Sequence, residues 1–176
     1  MQKSELSHSR HTVLVVDDDE KVRDALRKLL LRDGFDVLTA TDPLQALEMV
    51  KVQLPCMLLV DVMMPGMDGF ELCRRLKQDP RTAHIPVALV TARAKEQDVQ
   101  EGIAAGAVDY IKKPFDQDEV RMRVRTQIRL HEALIEQKGL HRHLAIISAA
   151  AKDAIVIIDN QSHITHWNRA AEQIFG

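Results

Sequence analysis

The sequence predicts an α/β fold, a parallel sheet of five strands with helices on both faces. Three observations carry that prediction. Short, continuous apolar runs recur along the chain, segments of helical period separate them, and cap or stop residues bound those segments. Short apolar runs read as strands buried on both faces, the usual condition of a parallel sheet. Regular alternation with helices supplies the right-handed crossovers that such a sheet needs.

The first strand covers residues 12–16, a mostly β-branched run. In the helix that follows, Val22, Leu26, Leu29 and Leu30 share one face, and Gly34 stops it. Residues 35–39 form a weaker second strand. The second helix opens on Asp42-Pro43, an N-cap followed by proline in the first helical position. The third strand covers residues 57–60. Its helix opens on Asp68, has Glu71 three residues later in the manner of a capping box, and stops near Asp79-Pro80. Residues 86–90 form the fourth strand, and a helix from about Lys95 to Ala105 ends at Gly106. The fifth strand covers residues 108–111, and the fifth helix starts at Asp116 with Glu119 three residues on.

The composition narrows the function. With 176 residues, the chain has room for one ordinary domain plus a tail or a fragment of a second. A net charge of -2 supplies no basic field for nucleic acid, and 3% aromatic content supplies no base-stacking surface. No helix-turn-helix pattern is present either. Cys56 and Cys73 lack CxxC spacing and read as reduced, packed thiols of a cytoplasmic protein. The eight histidines form no HExxH or paired Cys/His pattern. Residues 1–11 are a polar tail without the apolar centre of a signal peptide, and the apolar runs are too short to span a bilayer. The expectation is a soluble segment with no membrane partner.

In an open parallel sheet, ligands sit at the carboxyl ends of the strands. There the first strand is followed by Asp17-Asp18-Asp19, the third by Asp61, the fourth by Thr91 and the fifth by Lys112-Lys113-Pro114. Several carboxylates on one edge repel unless a cation shares their charge. Hard oxygen ligands in that number suit Mg²⁺. A lysine ammonium and a threonine hydroxyl can hold phosphoryl oxygens. Carboxylate nucleophile, metal and oxygen clamps are the parts needed to transfer a phosphoryl group onto aspartate.

Four pieces then come together in order: Leu14-Val15-Val16-Asp17-Asp18, the stretch from Leu59 through Asp61 and Pro65 to Gly69, Val90-Thr91-Ala92, and Asp109-Tyr110-Ile111-Lys112-Lys113-Pro114-Phe115. Together they resemble the response-regulator receiver family over residues 12–129. The resemblance implies a flavodoxin-like sheet in the order 2-1-3-4-5. It makes Asp61 the phosphoacceptor, with Asp17, Asp18, Asp61 and the backbone carbonyl of Met63 around Mg²⁺, or Mn²⁺ in its place. Thr91 becomes the switch hydroxyl, Lys113 the active-site lysine ahead of a cis Pro114, and Tyr110 the aromatic that changes rotamer. Asp19 is read mainly as a helix N-cap and Lys112 as a solvated neighbour. Met63 and Arg93, each two residues past a site residue, fall where the family tunes dephosphorylation. The implied partner is a sensor histidine kinase or a phosphotransfer protein. The implied output surface is the fourth helix, fifth strand and fifth helix. The expected role is a phosphoacceptor switch, not an enzyme.

Beyond the receiver, Val120, Val124, Ile128, Leu134, Ile135, Leu144 and Ile147 keep a loose helical period that Gly139 interrupts. Residues 130–148 thus form one long helix with what precedes them, or two joined near Gly139. Such a helix is either a solvated linker or a dimerising signalling helix, and the output face is a second candidate for a homodimer. From Asp153 to Asp159 runs a strand, then a turn at residues 160–162, a second strand over residues 164–168 and a short helix from Arg169 to Phe175. Residues 149–176 resemble the opening of a PAS domain, a partial α+β segment. PAS domains run further than this, so the chain is expected to be a piece of a longer protein or a truncated gene product.

Three other readings compete. A phosphatase resembling the haloacid dehalogenases would use Asp17 and Asp19 as a DxD pair, but Lys21 stands where that family has Thr or Val, and Asp61 is left unexplained. A flavin carrier would need a phosphate loop where three aspartates stand. A degenerate receiver would serve only as a dimerisation module. His131, in Arg129-Leu130-His131-Glu132, lacks the flanks of a kinase phosphohistidine.

Overall fold

The computed structural model describes residues 11–92, 96–150 and 153–175. The polar tail through Arg10, together with Arg93, Lys95 and Gly176, lies outside the described residues. So do the side chains of His141, Leu144 and Ile147. The chain divides between His131 and Glu132 into two compact units.

The first unit alternates strand and helix. The elements are β1 (Thr12–Val16), α1 (Glu20–Arg32), β2 (Asp36–Ala40), α2 (Pro43–Val52), β3 (Met57–Asp61), α3 (Gly69–Gln78), β4 (Val87–Thr91), α4 (Glu96–Ala104) and β5 (Asp109–Lys112). α5 (Gln117–Ala150) follows as one continuous helix. The strands are all parallel, in the order β2-β1-β3-β4-β5.

The fully apolar strands are explained by a core on each side of the sheet. Val13, Val15, Leu59, Ala88, Val90 and Ile111 face Leu26, Leu29 and Leu30 of α1 and Val120, Val124 and Ile128 of α5. Their neighbours in the chain, Leu14, Val16, Leu58, Val60 and Leu89, face Val50 of α2 and Phe70, Leu72 and Leu76 of α3. Alternating side chains thus leave water on opposite faces, and neither set can be polar.

In the first unit the strands after β1 have edges one residue from the sequence pattern, and the backbone accounts for the starts of β2 and β4; the strand expected over residues 153–159 is shorter, Val156–Ile158. The Phe35 N–H donates to the Leu30 carbonyl (3.1 Å) and closes α1 before β2 begins. Pro86 has no N–H to give a ladder, although its carbonyl accepts from Leu58 (2.9 Å). Asp19, Asp42 and Asp68 cap α1, α2 and α3 as their positions suggest.

In the second unit β6 (Val156–Ile158) and β7 (Ile164–Trp167) pair antiparallel, and α6 (Arg169–Phe175) follows. The second of these strands stops short of Asn168. That side chain is buried and caps α6, accepting from Ala171 N–H (2.9 Å) and Ile155 N–H (2.8 Å) and donating to the Asp153 carbonyl (3.0 Å). Among the described residues, no helix is long and apolar enough to cross a membrane.

Candidate functional site

The strand ends deliver their polar residues to one edge of the sheet. Asp17 follows β1, Asp61 closes β3, Thr91 closes β4 and Lys113 follows β5. Asp17 is 1% exposed and Asp61 4%, and Thr91 is fully buried, whereas Asp18 lies open to solvent. Carboxylate oxygens of Asp17, Asp18 and Asp61 come within 4.8 Å of one another. Lys113 Nζ bridges the two buried acids, at 2.7 Å from Asp17 Oδ2 and 2.8 Å from Asp61 Oδ1.

One ammonium does not neutralise three carboxylates. Burial pushes the Asp61 carboxyl above its ordinary value. Lys113 pulls it back, while the charges of Asp17 and Asp18 push in the same direction as burial. For Lys113, burial works against the charged form, yet the hydrogen bonds it donates to Asp17 and Asp61 hold its pKa above the ordinary lysine value. Three hard oxygen donors with surplus negative charge and one open side fit a hard divalent cation such as Mg²⁺.

The remaining expected residues lie around this pocket. Met63 N–H donates to Asp61 Oδ2 (3.2 Å), and the Met63 side chain is half exposed beside it. Lys113 N–H donates to the Thr91 carbonyl (2.7 Å), and the Lys113–Pro114 bond is cis. Tyr110 and Thr91 share a side-chain hydrogen bond, and burial raises the Tyr110 phenol. Lys112 points to solvent.

Two residues of the pocket were not singled out by sequence reasoning. Arg23 Nη1 donates to the Asp17 carbonyl at 2.5 Å. The signal for it was a cation in the first turn of α1, where the helix dipole favours an acid. Gly69 starts α3 so close to β3 that a Cβ would sit 2.3 Å from the Asp61 carbonyl oxygen. Its signal was a glycine directly after a cap, where a helix gains nothing from it.

Comparison with known proteins agrees with this geometry. The family model described as response regulator receiver domain matches residues 13–125, and a PAS domain model matches residues 143–176. Response regulator PleD of Caulobacter vibrioides is 42% identical over 142 residues, 79% of this chain and 31% of that protein. The phosphate regulon transcriptional regulatory protein PhoB of Rhizobium meliloti is 40% identical over 117 residues, 66% of this chain and 52% of that protein. The chain thus spans about a third to a half of these relatives' length. Among solved structures, the chemotaxis response regulator CheY4 of Vibrio cholerae superposes with TM-score 0.65 at 28% identity, covering 67% of this chain and 98% of its own. The receiver domain of Francisella response regulator 1452 gives 0.64 at 30%, covering 68% and 98%. With that match over most of its length, and with its sheet order and acidic strand-end pocket, this chain belongs to the response regulator receiver domain family.

Proposed function

We propose that residues 12–129 form a receiver that accepts a phosphoryl group on Asp61 from a sensor histidine kinase or phosphotransfer protein. One observation carries the reading: Lys113 bridges the buried Asp61 to Asp17, with Asp18 open at the rim. An Asp61 carboxylate oxygen attacks phosphorus, an O–P bond forms, and the P–N bond to the donor imidazole breaks. Mg²⁺, held by Asp17, Asp18, Asp61 and the Met63 carbonyl, would neutralise charge on the transferred group. Lys113 then binds one phosphoryl oxygen and Thr91 another. Thr91 is joined to Tyr110, so its movement carries to β5. That link makes α4, β5 and α5 the surface that changes, and the change controls a downstream output.

In this reading residues 1–11 are a tail, 130–148 a linker helix, and 149–176 the opening of a PAS domain. The residues that line the pocket also argue against a module used only for dimerisation, since such a module has no use for a bridged acid pair. Chemical mapping tests the acceptor. An aspartyl phosphate is an acyl phosphate, so hydroxylamine releases the phosphate and leaves a hydroxamate. Finding that hydroxamate on Asp61 supports the proposal; finding it elsewhere, or an alkali-stable phosphate on His131, contradicts it.

A further inference from the structure

Asp17 has each of its polar atoms engaged. Its N–H donates to the Ala40 carbonyl at the end of β2 (3.3 Å). Oδ1 accepts the Asp19 N–H (2.9 Å), Oδ2 accepts Lys113 Nζ (2.7 Å), and the carbonyl accepts Arg23 Nη1 (2.5 Å). These anchors differ in permanence. Lys113 is shared with Asp61, so whatever draws its ammonium toward a phosphoryl oxygen loosens Asp17. Among the described residues, Arg23 is the charged anchor of Asp17 that makes no contact with Asp61.

The placement of Arg23 has a cost on helix grounds. It sits in the first turn of α1 (Glu20–Arg32), where a cation meets the positive end of the dipole. Its own N–H donates to the Asp19 carbonyl (3.0 Å), while its side chain reaches back six residues over the helix start. Among the described residues, no carboxylate lies within ion-pair distance of it, so a surface salt bridge does not account for the position. A guanidinium bond to a carbonyl is charge-assisted and among the stronger single contacts available. It holds the corner between strand and helix where two of the three acids stand.

We infer that Arg23 is a positioning residue for the acidic pocket, fixing the Asp17 backbone so that Asp17 and Asp18 stay set for a divalent cation when Lys113 changes partner. The inference rests on the proposed receiver chemistry. Outer partners of metal ligands commonly set affinity by factors of ten to a hundred without touching the ion. Arg23 reaches the pocket through a main-chain carbonyl, so its effect falls on the binding of Mg²⁺ before it falls on the transfer step.

The test is Mg²⁺ affinity of the whole chain by calorimetry, with phosphoryl uptake at saturating Mg²⁺ measured beside it. Arg23→Met is expected to weaken Mg²⁺ binding about tenfold. Arg23→Lys keeps a charged donor and is expected to return to within about threefold of wild type. Both variants should reach wild-type phosphoryl occupancy once Mg²⁺ saturates. Arg23→Gln, which keeps bulk and a neutral donor, is read in the same way should Arg23→Met fail to fold. Mg²⁺ affinity within about twofold of wild type in the neutral variants, with only a lowered melting temperature, assigns Arg23 to ordinary helix anchoring and overturns the inference. A wild-type chain that binds no Mg²⁺ overturns the receiver reading, and this inference with it.

Discussion

Asp61 is a carboxyl in a place that resists its charge, because burial and the neighbouring Asp17 and Asp18 all raise its pKa. A carboxyl raised in the folded state stabilises the fold below its unfolded value of about 3.9 and loses that contribution as pH rises through the folded value. At neutral pH the ionised side chain is therefore a net cost. Asp61→Asn is expected to raise stability in metal-free buffer by about 1 kcal/mol, read from urea unfolding. Added Mg²⁺ should narrow the gap by binding the wild type. A less stable Asp61→Asn in chelator would contradict the electrostatic account. Lys113→Ala should act in the opposite direction, destabilising by about 3 kcal/mol because two nearly buried acids lose their shared cation. A loss below about 1 kcal/mol in the same unfolding measurement would mean that the acids are better solvated than their burial implies. Asp17, Asp61 and Thr91 were legible in the sequence because each polar residue directly follows an apolar run, and Lys113 was told from Lys112 by the family resemblance. Arg23 was not, because its partner is a backbone carbonyl, which any residue could supply, and a cation in the first turn of a helix does not name its partner.

At the scale of elements, α3 starts tight against the end of β3. Gly69 N–H donates to the Val62 carbonyl (3.0 Å), and a Cβ on Gly69 would meet the Asp61 carbonyl oxygen at 2.3 Å and Val62 Cα at 2.9 Å. Both are backbone atoms and cannot swing aside. Gly69→Ala is therefore expected to cost about 2 kcal/mol in urea unfolding and to slow phosphoryl uptake by moving the Asp61 backbone. Unchanged stability would show that α3 slides freely over the strand end. The N-cap of the same helix predicts a smaller effect. Asp68 Oδ1 accepts Glu71 N–H at 2.7 Å, and Asp68→Ala should lose about 1 kcal/mol of stability with the acceptor chemistry intact. The same unfolding curve checks it. Helix starts were well marked in the sequence because caps are side-chain signals. In the first unit strand edges were marked to within a residue, because Phe35 and Pro86 are placed by a backbone bond or by its absence, whereas the strand expected over residues 153–159 covers only Val156–Ile158.

At the scale of the whole molecule, five parallel strands with two apolar faces fix which residues share an edge, and the edge fixes the chemistry. The topology was readable because strands without a polar face have one common solution, a sheet covered on both sides. Whether residues 130–148 formed one helix or two was not readable, because Gly139 weakens a helix without ending it and the apolar stripe is thin. The structure shows one helix, Gln117–Ala150. The central claim is that this edge makes Asp61 a phosphoacceptor, and intact mass after incubation with a small phosphodonor and Mg²⁺ tests it most directly. The account predicts a gain of one phosphoryl group in the wild type, and none with chelator or in Asp61→Asn. No gain in the wild type, or an equal gain in Asp61→Asn, would contradict it.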